Sequence, residues 1–200
     1  MTTVVPSRKY YFYHKGYPLS AEEQAKDLAK VVAQYSKRKV SNELQLTCDE
    51  NPRKLFQVFL ESKGRTFNVD YYKMLTKSLE DIITRIKKYY DRPRPAELAK
   101  SMGIDFLSDN LDTAQSPSYP SGHTIQSYVV AKMLSNQFPE YEEDLLAIAE
   151  IIAQSRIDRG VHFPTDIEYG REVASSLYEQ IMEGLGGETP SYKLVYDQMG

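Results

Sequence analysis

The sequence predicts an all-α fold, a single-domain multi-helix bundle, and three observations carry that prediction. Apolar residues recur at helical spacing almost throughout, no convincing stretch alternates apolar and polar residues, and caps and prolines punctuate the chain where the spacing breaks. The 200 residues are enough for one domain to bury a core without disulfides or a structural metal. Residues 1–200 therefore read as one unit, with 1–19 as an N-terminal arm and 188–200 as a C-terminal tail.

Ser20 and Glu23 form a capping box ahead of Ala25, Leu28, Val32 and Tyr35, which share one face of a helix ending near Lys37. Asn51 before Pro52 reads as a cap with proline at the first helical position, followed by the apolar stripe Leu55, Phe56, Phe59 and Leu60. From Val69 to about Tyr90, the residues Tyr72, Leu75, Leu79, Ile82, Ile83 and Ile86 step by three or four, predicting a long helix stopped by Pro93 and Pro95. Lys87 falls in its last turns, and Arg92 and Arg94 lie in the extended exit that the prolines impose.

A short helical piece near Ala96 to Met102 and a polar loop through Asp112, Ser116 and Ser118 follow, a loop of the length that often walls or covers a site. Pro120 and Gly122 mark a turn into a helix carrying Ile125, Tyr128, Val129, Met133 and Leu134. Pro139 opens the next, with Glu140, Glu142 and Glu143 at its positive end and Leu145, Ile148, Ile152 and Ser155 facing inward. Thr165 and Glu168 read as a second capping box, starting a helix with Val173, Leu177, Ile181 and Leu185 inside and Gly186-Gly187 as its stop. Periodicity is weak after Thr189.

Composition excludes several classes. Hydrophobic residues at 41% and charged residues at 26% are ordinary globular values. A net charge of −3 and a pI near 5.7 argue against a broad nucleic-acid surface, which needs clustered, uncompensated cations. The densest basic run, Lys37-Arg38-Lys39, reads as a solvated helix end. One cysteine, Cys48, permits neither an internal disulfide nor a paired-cysteine metal motif. The N-terminus has no apolar segment of signal-peptide length, and no run of about 18 apolar residues occurs, so no membrane span and a cytoplasmic location are expected.

Three separated blocks carry the chemistry. Ser121-Gly122-His123 at a helix start offers free amides, a positive dipole end and a glycine that lets an oxygen approach the backbone. Taken alone, an ordinary Ser cap followed by a packed His explains it better, as a solvated helix end does Lys87 and Arg94. In Arg156-x5-His162-x3-Asp166 a carboxylate four residues past an imidazole can accept its ring hydrogen and leave the other nitrogen free to attack. A metal set of Asp158, His162, Asp166 and Glu168 is the competing use, opposed by Arg156 and Arg159 nearby.

Read in order, Lys87-x6-Arg94-Pro95, then Pro120-Ser121-Gly122-His123, then Ser155-Arg156-x5-His162-x3-Asp166 resemble the phosphatidic acid phosphatase type 2 superfamily, and Ser118 to Thr124 is similar to its bacterial class A acid phosphatases. The resemblance implies a phosphatase without metal or other cofactor, acting on a small phosphorylated substrate. It implies attack by His162, oriented by Asp166, and protonation of the leaving group by His123. Lys87, Arg94, Arg156, Ser121 and the Gly122 amide would hold the phosphoryl oxygens. Phosphate or vanadate suits the same cradle, so vanadate-dependent peroxidase chemistry and a non-catalytic phosphoanion binder stand as alternatives. Only Arg94 keeps the family spacing from Lys87, which leaves Arg92 as a flanking cation. Among the 16 tyrosines, Tyr10, Tyr11, Tyr13 and Tyr17 read as cover for the core or for a homo-oligomer contact, with stacking on an aromatic leaving group as the alternative, and Tyr89, Tyr90 and Tyr119 as pocket lining.

Overall fold

The computed structural model describes residue 17 and residues 19–37 and 43–184. These fold into α1 (Ala21–Lys37), α2 (Glu43–Glu50), α3 (Arg53–Ser62), α4 (Val69–Tyr90), α5 (Pro95–Ser101), α6 (Gly122–Gln137), α7 (Glu142–Asp158) and α8 (Pro164–Gly184), with single 3-10 turns at Asp112–Ala114 and Pro139–Tyr141. No strand occurs among the described residues. Tyr10, Tyr11, Tyr13, Arg38, Lys39, Leu185, the Gly186-Gly187 stop and the C-terminal tail lie outside them.

The caps explain several helix starts. Ser20 Oγ accepts the Glu23 N–H at 3.2 Å while Glu23 Oε2 accepts the Ser20 N–H at 2.8 Å, which is the expected capping box. Asn68 Oδ1 accepts the Tyr71 N–H at 3.0 Å to start α4, and Asp91 ends that helix in the left-handed region at φ 46°. Two expected caps do not form. Asn51 gives no side-chain cap to α3, because its N–H still bonds the Thr47 carbonyl and the chain turns straight from α2 into the next helix. The Thr165–Glu168 box is also absent. Helix α8 begins earlier, with Pro164 in its first turn, and the Thr165 hydroxyl bonds Asp27 instead.

The sequence reading also lacks α2. Of its eight residues only Cys48 and Asp49 are buried, and Leu44 and Leu46 are exposed, so no apolar stripe announces it. Contact with α7 and α3 holds it in place.

Helix α6 is central, packed chiefly on α7 and α8. Ile125, Val129, Val130, Ala131, Met133 and Leu134 bury more than one of its faces, as a helix surrounded by others requires. Gly170 of α8 permits the close approach, since a Cβ there would lie 3.0 Å from the Thr124 side chain and 3.3 Å from the Ser121 carbonyl. One apolar cluster joins α3, α4, α6, α7 and α8; a smaller one, with Leu28, Val31, Ala99, Ile157, Phe163 and Ile167, joins α1, α5, α7 and α8. Tyr119 belongs to the first cluster and Phe163 to the second, and the three sequence blocks meet through Lys87 beside Gly122, the Ser121 N–H on the Asp166 carbonyl and Arg94 on His162.

Gly160, in the loop from α7 to α8, has φ +71°, and a Cβ there would lie 2.8 Å from Phe106 and 3.0 Å from Tyr35. Gly160→Ala combines a left-handed non-glycine residue with overpacking and is expected to lower stability by about 2–4 kcal/mol. Denaturant unfolding of the variant checks this; an unchanged midpoint contradicts it.

Candidate active site

The end of α4 delivers the first cation. Lys87 is buried beside Gly122, whose missing side chain would otherwise come within 3.8 Å of the lysine Cε. Its Nζ donates to the Pro117 and Ser118 carbonyls at 2.5 and 3.4 Å. Burial, reinforced by Arg94, pushes its pKa down to about 7.

The Pro93–Pro95 exit delivers the second. Arg94 is the residue before α5, and its own N–H is held by Glu97 at 2.7 Å. Its Nε donates to the Ser116 carbonyl and its Nη1 to the Val161 carbonyl, both at 2.7 Å, and Nη1 also reaches His162 Nε2 at 3.0 Å. Arg92, two residues earlier, points the other way, into a buried ion-pair network behind Asp166. The structure thus separates the two arginines as their spacing from Lys87 suggests.

Arg156, near the end of α7, is 0% exposed. Nη1 bonds Asp49 Oδ1, Nη2 donates to Thr113 Oγ1 at 3.0 Å, and Nε has no partner among the described residues. Asp49 and Thr113 are site residues that motif reading missed. Asp49 is the last-turn acid of the unannounced α2, and its role exists only once that helix docks on α7.

Ser121 caps α6, accepting the Thr124 N–H at 3.3 Å and the Thr124 hydroxyl at 2.9 Å. Its own N–H donates to the Asp166 carbonyl at 3.0 Å, which seats the start of α6 beside the third block. The Gly122 amide belongs to the first turn of that helix, where the dipole favours an anion. His123 follows, its Nε2 2.9 Å from the Asp49 backbone carbonyl. A carbonyl can only accept, so Nε2 carries the hydrogen and Nδ1 is the nitrogen left to exchange a proton. Burial and then Arg156 lower the His123 pKa to about 3.

His162 is held from both sides. Its Nδ1 is 2.9 Å from Asp166 Oδ2, and its Nε2 faces the Arg94 guanidinium. Since an arginine N–H can only donate, Nε2 bears the lone pair and Nδ1 the hydrogen. Asp166 accepts at both oxygens, from the Phe163 N–H at 2.9 Å and from Arg92 Nη1 at 2.7 Å, a pattern that only the carboxylate satisfies. Burial raises the Asp166 pKa, opposed mainly by Arg92. Burial holds His162 well below the ordinary histidine range, and Arg94, Lys87, Arg156 and His123 all add to the effect. The imidazole is neutral, with its lone pair turned toward cations.

The rival metal set is dispersed: Asp158 accepts from Gln34 Nε2 at 2.6 Å, and Glu168 is exposed. Among the described residues no group of three or more His, Cys, Asp or Glu is placed to hold a metal. Of the tyrosines, Tyr119 is buried between Tyr17 and Tyr169 in a stacked column with centroid distances of 4.6 and 4.8 Å, and Tyr90 meets all three rings edge-on. Tyr89, expected to line the pocket, is 72% exposed; its place on α4 turns it away from the core.

These helices define a class of protein: an all-α fold in which Lys87, Arg94, Arg156 and His123 all act electrostatically on a buried imidazole, His162, while the start of α6 is tied to the same block through Ser121. The chain belongs to the PAP2 superfamily, whose model matches residues 72–177. It is 36% identical over 89 residues to a non-specific acid phosphatase of Salmonella typhi, a match covering 44% of this chain and 35% of that one. It is 33% identical over 110 residues to a non-specific acid phosphatase of Providencia stuartii, covering 53% and 44%. An acid phosphatase of Zymomonas mobilis is 33% identical over 95 residues, covering 48% and 36%. The chain thus matches less than half the length of these relatives. The fold is similar to the crystal structure of a transmembrane PAP2 type phosphatidylglycerolphosphate phosphatase from Bacillus subtilis, with TM-score 0.56 and 19% identity over 87% of this chain and 90% of that one. No helix among the described residues is long and apolar enough to cross a membrane.

Proposed function

We propose that the chain is a metal-independent phosphomonoester hydrolase that acts on soluble phosphorylated substrates through a phosphohistidine on His162. The observation that carries this reading is the tautomer: Nδ1–H is bound to Asp166 and the Nε2 lone pair faces the buried Arg94 guanidinium, an arrangement suited to attack on an electron-poor centre. The relatives named acid phosphatase support the phosphatase part of this reading.

A phosphoryl group entering the site takes the Arg94 hydrogen bond from Nε2 and meets Lys87, Arg156 and the amide end of α6. Together these stabilise the charge of the trigonal-bipyramidal transition state. Nε2 donates its lone pair to phosphorus as the P–O bond to the leaving group breaks, and His123 passes its proton to the departing oxygen. Water then attacks, His123 takes a proton, and the P–N bond breaks to release inorganic phosphate. With the site otherwise cationic, His123 is neutral at ordinary pH; the substrate dianion supplies the negative charge that lets it hold the proton it must give.

The test is hydrolysis of a chromogenic aryl phosphate with a chelator present, competition by vanadate, and trapping of acid-labile phosphoenzyme. Turnover that disappears with the chelator, or halide oxidation when vanadate and peroxide are added, would replace this reading. Lys87 supplies a pH prediction. Its charged form prevails below about 7, so kcat/KM should fall as pH rises through that value, and Lys87→Met should lower the acid plateau and abolish the limb. A profile flat between about pH 5 and 9 contradicts the scheme.

A further inference from the structure

Arg92 has no part in the steps above, yet it is one of the most completely buried polar side chains, 1% exposed. Nη1 bonds Asp166 Oδ1 and Thr165 Oγ1, both at 2.7 Å, and Nη2 bonds Asp27 Oδ2 at 2.9 Å. Its guanidinium carbon lies 3.8 Å from the centroid of the Phe163 ring. The Thr165 hydroxyl donates to the same Asp27 oxygen at 2.5 Å, and the Arg92 carbonyl accepts the Ser118 N–H at 2.9 Å. A continuous line of hydrogen bonds therefore runs from α1 to the imidazole: Asp27, Arg92, Asp166, His162.

The chemistry of that line is directional. Asp166 offers two oxygens, and its useful one, Oδ2, must face His162 Nδ1–H. The guanidinium fixes the other oxygen, while the Phe163 N–H alone would leave the carboxylate able to swing about one anchor. Arg92 also lies between two buried carboxylates, so neither Asp27 nor Asp166 is left uncompensated, and its fork spans both in a way that a single ammonium cannot. The aromatic face under it fixes the plane of the fork.

We infer that Arg92, backed by Asp27, is a positioning residue for the nucleophile: it locks Asp166 with Oδ2 on His162 Nδ1–H and so holds the imidazole ready to attack. The inference rests on the hydrolase reading for its kinetic consequence and on geometry alone for its structural one.

Two variants and two readouts test it. Arg92→Lys keeps the charge and loses the span. Asp27→Asn keeps an oxygen for Arg92 and Thr165 but throws the whole guanidinium charge onto Asp166, making it a weaker partner for the imidazole. With aryl phosphate, kcat should fall about 100-fold in Arg92→Lys and about tenfold in Asp27→Asn. KM and inhibition by inorganic phosphate should stay within about threefold, because Lys87, Arg94 and Arg156 are untouched. In nitrogen-15 histidine NMR of the unliganded protein, the downfield His162 Nδ1–H proton should move upfield in both variants and exchange faster with water.

Unchanged kcat in folded Arg92→Lys, or an unmoved Nδ1–H resonance, overturns the inference. So does a loss confined to KM and phosphate inhibition, which would make Arg92 an anion-binding cation. If Arg92→Lys does not fold, Asp27→Asn decides by the same readings. If the unaltered protein hydrolyses no phosphate ester, the hydrolase reading fails by itself, and the resonance still decides whether Arg92 positions Asp166.

Discussion

His162→Ala is expected to lower aryl-phosphate turnover by at least about 10^4-fold and to abolish phosphoenzyme trapping, with inorganic phosphate still bound. Alanine removes the imidazole whose Nδ1–H is held by Asp166 and whose Nε2 lone pair faces Arg94. The cations are held independently: Lys87 by the Pro117 and Ser118 carbonyls, Arg94 by Ser116 and Val161, and Arg156 by Asp49 and Thr113. An anion should therefore still find its cradle. Stopped-time phosphate-release assays, with phosphate binding measured by calorimetry, make the comparison. Turnover within tenfold of the unaltered protein would show that His162 is not the nucleophile.

Asp166→Asn should cost nearly as much, about 10^3- to 10^4-fold in kcat, although it only replaces one oxygen by an NH2 group of similar size. The carboxylate accepts three hydrogen bonds, from His162 Nδ1, the Phe163 amide and Arg92. An asparagine has one accepting oxygen and one donating nitrogen, so its amide must face either Arg92 or the two N–H groups at Oδ2. In the first case two donors collide and the Arg92 network opens. In the second the imidazole is driven to the other tautomer, where Nε2–H confronts the Arg94 guanidinium and no lone pair is left to attack. Near-normal kcat in a folded Asp166→Asn protein would refute this account of the tautomer. A large loss of stability alongside it is expected too, since Arg92 then lacks one of its compensating charges.

The helices were legible because their signals are local. Val69 to Tyr90 repeats its apolar residues at helical spacing for its whole length, and the observed α4 has those bounds. Where signals competed, local reading failed. Thr165 and Glu168 have the residue types of a capping box, but Asp27 on a distant helix takes the Thr165 hydroxyl, and proline at 164 starts the helix earlier. Helix α2 has too few apolar positions to show a stripe, and with it Asp49 was invisible, though Arg156 and His123 both bond to it.

The sequence by itself determined the all-α fold, the family, and which cations, imidazoles and carboxylate to watch, because periodicity, caps and residue spacing are properties of neighbouring residues. The tertiary structure alone decided which nitrogen of each histidine carries its hydrogen, what Arg92 binds once Arg94 takes the site, and which acids from α1 and α2 stand behind it. Those choices depend on partners tens of residues away in the chain, brought within hydrogen-bond reach only when burial forces every charged group to find one.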